Sequence, residues 1–170
     1  MKALYILIFT IFIGGTTIEK NSSSINDLNC SATLKVQKDR SFKSATENGA
    51  QFILTLTNTS GKPASYKLTA SKSLNPCTNN KSTNMSKSAV RNSDLYISLN
   101  QNTAYSSTSE NSAISLENGE SKEFKVSVTV PEGTEYKTWG CIEVKANALN
   151  CNSVSAEIIL SVYIPDPTEG

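Results

Sequence analysis

The stretch AISLENGESKEFKVSVTVPEG, residues 113–133, decides the fold. Phe124, Val126, Val128 and Val130 alternate with Glu123, Lys125, Ser127 and Thr129. A period of two is what a strand with one buried and one solvated face requires, because successive side chains leave opposite sides of the pleat. Asn118-Gly119 accepts the positive φ angles of a tight turn, so the stretch predicts a hairpin. Pro131 ends its second arm, since proline has no N–H to give to a ladder.

The same alternation recurs on either side. Ala32, Leu34 and Val36 share one face, as do Phe52, Leu54 and Leu56, with Thr55 and Thr57 opposite. Ala64, Tyr66, Leu68 and Ala70 follow the turn TSGKP, and Leu95, Ile97 and Leu99 come later. TWGCIEVKA begins at Thr138, and the last run places Val154, Ala156, Ile158, Leu160, Val162 and Ile164 together. No segment from Cys30 onward has helical periodicity. Seven or eight short strands with single apolar faces need a second sheet to cover them, which predicts an all-β antiparallel sandwich, with a barrel as the alternative. Residues 73–93 and 100–111, rich in Asn and Ser, are expected to be long surface loops.

With 170 residues, the chain has room for one ordinary domain and a short targeting segment. Its formal net charge of +1, with acids and bases interspersed, offers no basic stripe for nucleic acid. MKALYILIFTIFIGGTT carries one lysine, an apolar run from Ala3 to Ile13 and a set of small residues. That is the order of a secretory signal peptide, and the run is too short for a spanning helix, which needs about 20 apolar residues. The expected organisation is therefore a signal peptide at 1–17, a flexible segment at 18–29, the sandwich at 30–165 and a frayed tail at 166–170. The mature chain is expected in the periplasm or outside the cell, with no membrane span left after signal removal. Cys30 lies too far behind the apolar run to be a lipidation site.

Export changes how the four cysteines are read, because an even number outside the cytosol points to disulfides. The chain has no histidine, so neither the common Cys/His zinc sites nor the Ser-His-Asp and Cys-His nucleophile systems can be assembled. It also lacks nucleotide-binding glycine motifs and calcium-loop spacing. No cofactor, metal or catalytic residue is expected, and the chain is read as a non-enzyme.

One carboxylate pair needs weighing. Glu143 and Glu157 both point outward on the last two strands, and one register would set them side by side like a glycosidase pair. Like charges directly opposite are unfavourable, whereas a shift of two residues places Lys145 opposite Glu157. The shifted register is expected.

Trp139 is the only tryptophan. With Ile142, Val144 and Ala146 facing inward, Trp139, Cys141 and Glu143 face outward. Trp139 is therefore a candidate ligand contact, together with the outward Tyr96 and Tyr163. The competing expectation is that the indole packs beneath the 73–93 loop. Five sequons, at Asn21, Asn29, Asn58, Asn80 and Asn84, arise readily in a chain this rich in Asn, Ser and Thr, and carry no inference.

FILTLTNTSGKPASYKLTA, then LENGESKEFKVSVTVPEG, then a Trp-bearing strand and a closing strand resemble bacterial Ig-like accessory domains. These are the modules appended to secreted glycosidases and surface proteins, with an N-T-G turn, a P-G-E turn and a V-x-V-P strand end. The resemblance covers about residues 30–165. The chain departs from the pattern in using Asn118-Gly119 where Pro-Gly is common, and in its 73–93 insertion. The resemblance implies an Ig-like fold and a spacer, adhesion or carbohydrate-contacting role.

Strand direction constrains the disulfides. Cys141 and Cys151 lie at opposite ends of one strand, about 20 Å or more apart, beyond the reach of a bridge. Cys30–Cys77 is disfavoured likewise. If the segments around Leu95–Leu99 and Ala113–Leu116 form one sheet-switching strand, there are seven strands, and Cys77 pairs with Cys141 and Cys30 with Cys151. If they are two antiparallel strands, the pairs are Cys30–Cys141 and Cys77–Cys151. Seven is favoured because Ig-like folds of this kind use seven. The functional expectation is a binding or structural module for a protein partner. The alternatives are a glycan-contacting module using the aromatic residues and an inhibitor presenting the 73–93 loop.

Overall fold

A computed structural model describes residues 30–46, 48–73, 93–100 and 113–169. Among the described residues nine strand segments are formed: β1 Ala32–Val36, β2 Phe42–Ser44, β3 Ala50–Asn58, β4 Ala64–Lys72, β5 Tyr96–Asn100, β6 Ile114–Leu116, β7 Ser121–Thr129, β8 Thr138–Ala148 and β9 Ala156–Ile164. They build two sheets, β1-β3-β7-β5 and β2-β9-β8-β4-β6. The sheets do not close on each other, so the molecule is a sandwich and not a barrel.

Seven strands account for the nine segments, because two strands are each divided between the sheets. β1 pairs antiparallel with β3 in the first sheet, while β2 pairs parallel with β9 in the second. The crossing is a 3-10 turn, Gln37–Asp39, in which Lys38 and Asp39 take φ of 58° and 52°. Left-handed backbone at non-glycine residues is costly and persists only where the surroundings demand it. Here the demand is to bring the chain across to the other sheet. The second divided strand is β5, on β7, followed by β6, on β4. β5 runs antiparallel to β7 and so along β3; β6 runs antiparallel to β4, which returns from β3. The two therefore point the same way, as a sheet-switching strand must. With these joined, the order is first-second-fifth-fourth facing first-seventh-sixth-third-fourth, an Ig-like sandwich whose first and fourth strands are shared between the sheets.

The hairpin expected at 113–133 is not formed. β6 belongs to one sheet and β7 to the other, and Asn118-Gly119 turns the corner between them. Only Gly119 has positive φ, +78°, and Glu120 N–H closes the turn on Glu117 O at 3.0 Å. Turn chemistry dictates that the chain reverses there. Which neighbour each arm pairs with is decided by long-range burial. Val154, expected on the last strand, precedes it and is exposed.

Inward alternation otherwise holds throughout. Phe52, Leu54, Leu56, Phe124 and Val126 from one sheet meet Tyr66, Ile142, Val144, Leu160 and Val162 from the other, all fully buried. Asn58 is buried among them and acts as a polar hub. Its Nδ2 donates to Lys62 O, Leu116 O and Glu117 O at 2.7–3.1 Å. Its Oδ1 accepts from Ser60 N–H, Ser60 Oγ and the Tyr66 hydroxyl. Buried polar atoms need such partners, and this set ties the β3–β4 turn to the corner between β6 and β7. Asn58 is thereby closed to glycan attachment. The other four sequons, the expected signal peptide at 1–17 and nearly all of the two stretches expected to be loops, 73–93 and 100–111, fall outside the described residues.

Candidate functional site

β8 and β9 pair antiparallel with Trp139 opposite Tyr163, Cys141 opposite Ser161, Glu143 opposite Ile159 and Lys145 opposite Glu157. The last pair is the register expected from the charges. Directly opposed residues share a face, so one outer surface grades from charged to aromatic along its length. At the charged end the Lys145 ammonium stands 2.6 Å from Glu143 and 3.8 Å from Glu157. The hydrogen bond that the ammonium donates to the Glu143 carboxylate is the main cause that raises the Lys145 pKa. A cation set between the two carboxylates is the reverse of a glycosidase pair.

At the aromatic end the Trp139 and Tyr163 ring centroids are 5.0 Å apart and tilted by 45°. A third ring joins them. β2 lies beside β9 with Phe42 opposite Ser161, and the Phe42 ring reaches to 6.0 Å from Trp139 at 46°. Such tilted pairs each contribute about 0.5–1.5 kcal/mol beyond area burial. Phe42 nonetheless remains 54% exposed, while Trp139 and Tyr163 are half-buried. Cys141 and Ser161, on the same face, are buried at 1% and 0%.

The rim of this cluster is ordered. Lys137, at φ 58°, donates its N–H to Ile164 O at 2.7 Å. Its ammonium lies 3.7 Å from Asp166. Asp166 also accepts from Thr168 N–H and Oγ1 at 3.0 and 2.7 Å, and those hydrogen bonds hold its carboxyl below the ordinary value.

The structure thus brings Trp139 and Tyr163 together and leaves Tyr96 apart. Tyr96 is on β5 of the other sheet, opposite Thr129 and 69% exposed, facing away from the opposite side of the sandwich. Phe42 was missed at the level of sequence. Its strand has three residues, too few to show alternation, and its neighbour β9 is more than a hundred residues away. The only sequence signal is a lone aromatic in the polar run RSFKS.

Cys30 and Cys151 form a disulfide with Cα atoms 6.1 Å apart, inside the range a bridge tolerates. This excludes both Cys141–Cys151 and Cys77–Cys151. Cys141 is also disulfide-bonded, and Cys77 lies outside the described residues. Both ends of the insertion meet β8 beside Cys141: Ser73 N–H donates to Cys141 O and Ser93 N–H to Trp139 O, at 2.8 and 2.9 Å. Among the described residues no helix is long and apolar enough to cross a membrane.

No family model matches the chain, and no curated protein matches it. Among solved structures it is similar to the ASH/PapD-like domain 7 of human CEP192, at 10% identity and a TM-score of 0.35, over 78% of this chain and 86% of that one. Likeness at that level carries no argument. The Ig-like assignment rests on the strand order itself.

Proposed function

We propose that this chain is an exported, non-enzymatic Ig-like module that holds a partner protein against the Phe42–Trp139–Tyr163 face. The observation that carries this reading is the half-open aromatic cluster itself. Three rings are gathered from three strands, and the outermost, Phe42, stays 54% exposed. Aromatic side chains on a fixed scaffold lose little entropy on docking and dominate protein interfaces when desolvated. The tilts of 45° and 46° favour a protein over a sugar. Successive pyranose rings stack best on ring faces presented in one plane, and these rings are turned against each other. Tyr96, which the glycan reading needs in the same patch, lies on the other sheet. An accessory role resembling that of bacterial Ig-like modules agrees with this, and the Cys30–Cys151 disulfide is compatible with an extracytoplasmic location.

The test is affinity capture with the exported protein against Phe42→Ser and Trp139→Ala, with circular dichroism confirming that each variant folds. A partner retained by wild type and lost by both supports the reading. Glycan-array binding lost in Trp139→Ala would transfer the site to carbohydrate. A partner kept by both variants would remove the aromatic face from the interaction.

A further inference from the structure

Every open sheet edge is a template for another strand, and proteins protect edges by shortness, charge, proline or bulges. Among the described residues the two sheets have four edge strands, β1 and β5 in one and β2 and β6 in the other. β6 and β2 have three residues each. β2 also turns Lys43 inward, where its ammonium donates to Gln51 O and lies 5.4 Å from the Phe52 ring. β1 carries the exposed Lys35 and breaks off into the Gln37–Asp39 turn. β5 has none of these devices. Tyr96-Ile97-Ser98-Leu99-Asn100 contains no charge and no proline, and pairs with β7 in unbroken register from Tyr96↔Thr129 to Asn100↔Lys125.

The core is also incompletely covered at this edge. Ile97 and Leu99 point inward but are only half-buried, whereas their β7 partners Val128 and Val126 are exposed by 1% and 0%. Among the described residues no strand pairs with the outer side of β5.

We propose that β5 is a self-association edge, at which a second copy of this chain pairs antiparallel through its own β5 and continues the four-stranded sheet across a two-fold axis at Ser98. The segment is self-complementary in that register. Ser98 opposes Ser98, Ile97 opposes Leu99 and Tyr96 opposes Asn100, so apolar residues meet on the inward side and no like charges face each other. A net charge of +1 leaves two copies with little mutual repulsion. The proposal is independent of the aromatic face, which lies on the other sheet.

Sedimentation equilibrium of the exported protein tests it. Wild type is expected to dimerise reversibly with concentration. Ser98→Lys and Ser98→Glu, at an exposed outward position, are each expected to weaken the dimer about fivefold or more. An equimolar mixture of the two is expected to regain it as a heterodimer, because Lys then faces Glu. Unchanged thermal melts would show that the variants remain folded. Wild type remaining monomeric up to about 1 mM overturns the proposal. So does a dimer indifferent to both substitutions, or a mixture no tighter than its components.

Discussion

The Tyr66 hydroxyl donates to Asn58 Oδ1 at 2.7 Å in the interior of the sandwich, and also lies 3.1 Å from Ser31 O. Through this pair one buried amide joins the residue preceding β1, the β3–β4 turn and the corner between the sheets. Asn58→Ala strands several carbonyl groups and is expected to cost about 3 kcal/mol. Tyr66→Phe removes one donor while Ser60 still serves Oδ1, and is expected to cost about 1 kcal/mol. Urea unfolding of both variants checks the ratio.

Tyr66 also sets an alkaline limit. Burial pushes its phenol above 10.0, against a smaller opposite pull from Ser60. Because the folded pKa is raised, its contribution is intact below the unfolded value and is lost as pH rises through the folded one. Stability should therefore fall above about pH 10, and more shallowly in Tyr66→Phe. Asp166 acts in the other direction. Its lowered pKa makes its contribution complete above 3.8 and lost as pH drops below that value. Carboxyl NMR titration should place its midpoint under the ordinary aspartate value.

The Cys30–Cys151 bridge closes a loop with a sequence separation of 121. Replacing both residues with serine is expected to cost about 4 kcal/mol, mainly by freeing the unfolded chain. Non-reducing peptide mapping should recover the Cys30 and Cys151 peptides linked.

Gly49 lies at φ +79° in the turn that enters β3, where a Cβ would meet the Val128 carbonyl oxygen. Gly49→Ala is strained in its backbone and blocked by the backbone of the facing strand. A loss of about 2 kcal/mol or more is expected. The same substitution at Gly61, with open space around it, isolates the backbone term.

Because Trp139 is the only tryptophan, its fluorescence reports on the aromatic face alone. A docked partner should shift the emission to the blue and shield it from iodide. Phe42→Ser should raise quenching in the free protein, since it uncovers the indole.

Most of the core was legible from the sequence. At Phe52, Leu54, Leu56, Phe124, Val126 and Val128 the face of each side chain is set by the pleat, which is local. The outward parity of Trp139 and Tyr163 was legible on the same ground, and so was the Lys145–Glu157 register, because the opposite charges of Glu143 and Lys145, two positions apart on one face, distinguish the alternatives. The Cys30–Cys151 pairing followed from strand direction, given a seven-strand reading. Partner choice between strands was not legible. It placed Phe42 beside Trp139, sent β6 and β7 to different sheets and separated Tyr96 from the aromatic cluster.

The sequence by itself determined that this chain makes alternating strands, which side of each is buried, and that its cysteines are used far apart in the chain. The tertiary structure alone decided where two strands change sheets, which aromatic rings share a surface and which of the described strands lie at the sheet edges. The physical reason is range. Alternation and turn chemistry act over a few residues, whereas sheet order is settled by burying apolar faces brought together across the whole length of the domain.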